Sequence, residues 1–162
     1  MAEQERLRIV VGIDGFDTGR RALDWALHEA LIRDCALHVV HAWVFDPMAD
    51  FFTETSNQRV YEESLAMLSR EVEQAASGMT ELPRIIEESL QGDPIRVLPE
   101  AARGAMMLVV GRHRGGLVRE VLLGSVSAAC VRHASCPVVV IPAVVPQPEK
   151  SSSAEPTTVS YS

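Results

Sequence analysis

Apolar residues along this chain fall into short unbroken runs separated by stretches of helical period, and the rhythm repeats as far as residue 141. Leu7 to Ile13 contains Ile9-Val10-Val11, Leu37 to Trp43 is β-branched and apolar, and Met106–Val110 and Pro137–Ile141 are nearly pure aliphatic runs. Runs without alternation suit parallel strands covered on both faces. Arg84 to Leu90 reads as the third strand in chain order, but Glu87 and Glu88 lie inside it, which suits a sheet edge rather than the centre. Between the first two strands, Leu23, Ala26, Leu27, Ala30 and Leu31 share one face of a helix from Arg20 to Arg33, with Asp17 or Thr18 as its cap. A second helix, from about Gln58 to Ala76, has Tyr61, Leu65, Leu68, Val72 and Ala75 as its inner stripe. Asp93 caps and Pro94 opens a third, running to about Arg103 with Ile95, Leu98 and Ala102 inward; Pro99 should kink or shorten it. A helix-like segment from Gly124-Ser125 to about His133 precedes the last strand. Regular β-α alternation implies right-handed parallel crossovers, hence an α/β fold with a five-stranded parallel doubly wound sheet and helices on both faces. One domain is expected over residues 1–142, followed by a disordered Pro/Ser/Thr-rich tail over 143–162.

Composition narrows the function classes. A hydrophobic share of 47% supports a true core, and 5% aromatic content makes that core aliphatic. The formal net charge of −7 argues against a nucleic-acid partner bound through a broad basic surface. Lys150 is the single lysine, so a phosphate-loop lysine and a Schiff base are both excluded from residues 1–142. Cys35, Cys130 and Cys136 have no C-x-x-C spacing and read as small buried hydrophobes in a reducing compartment. No signal peptide precedes Leu7 and no apolar run approaches the roughly 20 residues of a membrane span, so a cytoplasmic protein with no membrane contact is expected.

The stretch from Met106 to Pro142 carries the chemistry. A buried strand opens into Gly111-Arg112-His113-Arg114-Gly115-Gly116, and Gly124-Ser125 then starts a helix. Such a loop and helix start aim backbone N–H groups and the positive end of a dipole at one point, a natural phosphate site. Arg112, His113, Arg114 and Arg119 are either a solvated patch or a local anion site; four basic residues within eight positions of an acidic chain favour the anion site. Asp14, ending the first strand, is either a turn cap or a ligand contact. His28, His38, His41 and His133 have no metal-ligand spacing and read as structural, with His38 and His41 on opposite faces of their strand. Gly12, Gly15 and Gly19 do not spell the dinucleotide fingerprint. A phosphoacceptor receiver domain fails too, because residues 90–92 are Leu-Gln-Gly and the only lysine, Lys150, lies in the tail.

In order and spacing, several segments together resemble the universal stress protein family, over about Arg8 to Pro142. They are Ile9-Val10-Val11-Gly12-Ile13-Asp14-Gly15, Arg20-Arg21-Ala22-Leu23, Gly92-Asp93-Pro94, Glu100-Ala101-Ala102, Val109-Val110-Gly111, Leu122-Leu123-Gly124-Ser125-Val126-Ser127 and Cys136-Pro137-Val138-Val139-Val140. The resemblance implies strand order 3-2-1-4-5 and an adenine nucleotide, ATP first and Mg²⁺ with it, in the crevice where the sheet reverses. It places Gly12, Ile13 and Asp14 on the adenosine side, Asp14 near the ribose or a metal-bound water, and Ala42 against adenine. Gly111, Arg112, His113, Arg114, Gly115 and Gly116 would wrap the phosphates, and Gly124, Ser125, Val126 and Ser127 would close the site. It further implies a homodimer through the last strand, Val138–Ile141, and a role in stress-response signalling with at most slow ATP hydrolysis. No nucleophile with a base and an orienting acid stands out. One departure opens an alternative. Arg114 stands where family ATP-binders carry the second phosphate-loop glycine, which fits a nucleotide-independent dimeric adaptor as well as a loop in which arginine contacts the γ-phosphate.

Overall fold

A computed structural model describes residues 7–45, 47–48, 56–112 and 123–143. The five aliphatic runs form β1 (Arg8–Gly12), β2 (Ala36–Trp43), β3 (Ile85–Gln91), β4 (Met107–Gly111) and β5 (Val138–Ile141). All pairings are parallel and the order is β3-β2-β1-β4-β5. Four helices join them among the described residues: α1 (Asp17–Ile32), α2 (Asn57–Ala76), α3 (Pro94–Ala101) and α4 (Ser125–His133).

The central strands bury both faces. Ile9, Val11, Leu37, Val39 and Val109 pack against Ala22, Leu23, Ala26 and Leu27 of α1 and Leu68 and Val72 of α2. Val10, Val40, Leu108 and Val110 pack on the other face against Leu98 and Ala102 and against Cys130 of α4. Each aliphatic side chain fully removed from water contributes about 1.5–3 kcal/mol, so β1 and its neighbours dominate the driving force for folding. The edge position of β3 agrees with its polarity, and its glutamates are satisfied: Ser69 Oγ donates to Glu87 Oε2 at 2.7 Å, and His38 Nδ1 lies 3.5 Å from Glu88.

Three local expectations change. Helix α1 begins at Asp17, and neither Asp17 nor Thr18 caps it; Phe16 is the cap residue and offers no side-chain acceptor. The turn is held from before the helix instead, with the Phe16 N–H donating to Asp14 Oδ1 at 3.0 Å and Gly15 supplying φ +80°. In α2 the inner face includes Ser64 and Glu71 beside Leu68 and Val72, while Tyr61 is 38% exposed, its ring centroid 6.4 Å from that of Trp43. Polar residues tolerate that position because each is bonded: Arg20 donates to Glu71 through Nε at 2.7 Å and Nη2 at 3.0 Å. Helix α3 stops at Ala101, short of Arg103, with Pro99 inside it and Leu98 and Pro99 buried.

Candidate functional site

Neighbours β1 and β4 send their chains to opposite faces, α1 and α2 on one and α3 and α4 on the other, so the crossovers part between them. Loops leaving the carboxyl ends of two such strands diverge and leave a crevice. A cavity of about 420 Å³ lies there, within the roughly 300–1,000 Å³ usual for small-molecule sites. Gly12, Ile13 and Asp14 come from the end of β1, His41 and Ala42 from β2, and Val110 from β4. Pro94 and Leu98 of α3 form one wall, with Leu98 packed against Gly12; Gly124, Ser125, Val126 and Ser127 form another.

Polar groups are few and placed at the rim. Gly124 caps α4 without a side-chain bond, so the N–H groups of the first turn have no partner within the helix until Ala128, whose N–H donates to the Gly124 carbonyl at 2.9 Å. The Ser127 hydroxyl donates to the same carbonyl at 3.1 Å, which leaves Ser125 as the first-turn hydroxyl not used that way. These amides, the helix dipole and a largely aliphatic wall suit a ligand with a flat apolar body and an anionic end. On β2, His41 Nδ1 sits 2.7 Å from Ser64 Oγ, which lies 2.6 Å from Ser89 Oγ on β3. Burial pushes the imidazole below its usual pKa of 6.5, and the Asp14 carboxylate opposes that only in part, which favours the neutral ring at pH 7.

Of the residues singled out in the sequence, the fold brings Gly12, Ile13, Asp14, Ala42, Gly124, Ser125, Val126 and Ser127 to one cavity. Gly111 and Arg112 lie on the same strand end beyond Val110. Gly111 abuts the start of α1 so closely that a Cβ there would stand 2.5 Å from the Thr18 carbonyl oxygen, and the Arg112 N–H donates to the Ile141 carbonyl at 2.8 Å. His113, Arg114, Gly115 and Gly116 lie outside the described residues, as does the tail from residue 144. The sequence reading passed over His41, Pro94, Leu98 and Val110 as cavity residues. Leu98 was legible as an inward helix position, but nothing in the sequence announced that α3 packs across the end of β1. No described helix is long and apolar enough to cross a membrane.

A doubly wound α/β domain with a crevice at its switch point is the class that this fold and cavity define. The universal stress protein family model matches residues 5–142, and the chain belongs to that family. It is 36% identical over 159 residues to universal stress protein Rv1996 of Mycobacterium tuberculosis, covering 87% of this chain and 50% of that protein. The chain spans about half the length of the curated relatives it matches. A universal stress protein solved in complex with cAMP aligns with a TM-score of 0.62 at 28% identity, over 84% of this chain and 96% of that one. A family protein of Arabidopsis thaliana solved with AMP bound aligns with a TM-score of 0.58 at 23% identity, over 89% and 97% of the two chains, a likeness of fold.

Proposed function

We propose that this domain binds an adenine nucleotide, ATP foremost, in the switch-point cavity, and that occupancy serves as a signal in a stress response rather than as a step of catalysis. The observation that carries the reading is one cavity joining an aliphatic slot, between Leu98 and Val110, to the unpaired amides that open α4. The slot takes the nucleoside and the amides take phosphate. The cAMP complex of a relative at 28% identity supports the same ligand chemistry. Gly12, Ile13, Asp14 and Ala42 hold the nucleoside side, Gly111 through Gly116 the phosphates, and Gly124 to Ser127 the far wall. Among the described residues no group of three His, Cys, Asp or Glu side chains gathers to hold a metal. Mg²⁺ therefore fits here as an ion carried on the nucleotide's phosphates, with Asp14 as the carboxylate lining the cavity.

Arg114 favours a second reading, the nucleotide-independent adaptor, and calorimetry with ATP–Mg²⁺ on the wild type and on Arg114→Gly separates the two. A wild type that binds, with the glycine variant binding several-fold more weakly, identifies the arginine as a phosphate clamp. A wild type that fails where the glycine variant binds identifies the adaptor. In either reading β5, an apolar strand paired on one side only within the described sheet, is proposed as the seam of a homodimer. Light scattering at micromolar concentration is expected to give twice the chain mass; a monomer contradicts the seam.

A further inference from the structure

Two long helices share one face of the sheet, and they are fastened to it by different chemistry. The residues that α1 buries are Gly19, Ala22, Leu23, Ala26, Leu27 and Ala30, with no polar side chain among them. Those that α2 buries are Asn57, Ser64, Leu68, Glu71 and Val72, three of the five polar. Ser64 Oγ lies 2.7 Å from His41 Nδ1 on β2 and 2.6 Å from Ser89 Oγ on β3, where Ser89 is the register partner of His41. Ser69 Oγ donates to Glu87 Oε2 at 2.7 Å, and Glu71 accepts two bonds from Arg20 of α1. Aliphatic contacts hold a helix at any pH, whereas each of these links contains a group that gains or loses a proton. In the first link that group is an imidazole, which ordinarily changes charge between about pH 5 and 8. The neutral ring completes the chain in either tautomer, since each serine hydroxyl both donates and accepts. The imidazolium keeps its Nδ1 bond but sets a charge beside Val39, two residues back on the same face of β2, and Leu68, one turn along α2 from Ser64.

We propose that α2 is an acid-releasable layer of this fold: protonation of His41 weakens its docking on β2 and β3 while α1 stays in place. The inference does not depend on what fills the cavity, because the link lies on the α1–α2 side of the sheet, away from the Leu98 and Val126 wall. On this side the neighbouring elements contribute Asp14 from the end of β1, Glu87 from β3, and Glu71 of α2 with its partner Arg20 of α1. Arg59 and Glu63, on the outer side of α2, pair with each other. Burial lowers the proton affinity of the ring and the Asp14 carboxylate raises it by less, so the docked ring titrates below the ordinary 6.5. The stabilisation that the neutral ring supports is therefore complete above about pH 6.5. It declines as pH falls below that value, by up to about tenfold in the docking equilibrium per unit, and levels off below the docked-state pKa. Release uncovers Leu37 and Val39 on the inner face of β2, both wholly buried while the helix is docked.

Hydrogen exchange on the full-length protein, followed by NMR between about pH 7.5 and about pH 5, tests the proposal; protection factors remove the intrinsic pH dependence of exchange. Protection at Leu65, Leu68 and Val72 of α2 should fall several-fold relative to Leu23, Ala26 and Leu27 of α1. The His41 ring should titrate with a midpoint below 6.5. His41→Gln, which keeps an amide to bond Ser64 and has no charge to gain, should hold the two helices at a constant ratio across the same range. A parallel fall in both helices overturns the proposal, as does a His41 midpoint at or above 6.5, and both readings come from the unaltered chain. A fall confined to α2 that persists in His41→Gln also overturns it, and assigns the effect to the Glu71 and Glu87 links.

Discussion

The two faces of the sheet are built to different ends. On one, α1 and α2 are 16 and 20 residues long, and their Leu23, Ala26, Leu27 and Leu68 are wholly buried against the sheet. On the other, α3 and α4 are 8 and 9 residues long, the first with Pro99 inside it, and their first turns line the cavity. The closed face supplies a packed core; the open face holds the cavity. What the difference teaches is that the site forms where the crossovers part, between the first turns of α3 and α4. Gly12 and Val110 line the space between them.

That contrast predicts different penalties for the same truncation. Leu23→Ala on the closed face should cost about 3–5 kcal/mol, the upper part of the range for buried leucines, because α1 and the sheet leave no room to collapse. Urea unfolding measures it as a lower midpoint at unchanged slope. Leu98→Ala on the open face should cost only about 2 kcal/mol, since the gap it leaves merges with a cavity already present. Its larger effect should fall on ligand affinity, through the lost wall opposite Gly12. Equal stability losses from the two truncations would show that the faces are packed alike.

Much of the frame was legible because aliphatic runs have few other homes. Ile9-Val10-Val11 and Leu108-Val109-Val110 make sense only in strands buried twice, and Glu87-Glu88 only at an edge, where both now lie. Asp93 and Pro94 marked their helix start because capping is local chemistry, and the Asp93 side chain does accept from the Ile95 N–H at 3.0 Å. The misses share a cause. Tyr61 sits at a helical spacing that promised burial, yet the core slot went to Ser64, whose reason for being there is a histidine 23 residues away in sequence. The turn into α1 is likewise held by Asp14 rather than by Asp17 or Thr18, with Gly15 at positive φ within it. Periodicity reports which face an element turns inward; it is silent on polar partners that only tertiary contact introduces. The Ser64 and Ser89 partners of His41 are contacts of that kind.

The central claim, that an adenine nucleotide occupies the switch-point cavity, is tested most directly by mapping ATP–Mg²⁺ onto the full-length protein by amide NMR. The account predicts saturable shifts at Gly12, Ile13 and Asp14 and at Ser125 to Ser127, at both ends of the cavity, with the amides of α1 near Ile32 unmoved. Shifts confined to other surfaces, or none at millimolar nucleotide, would contradict it.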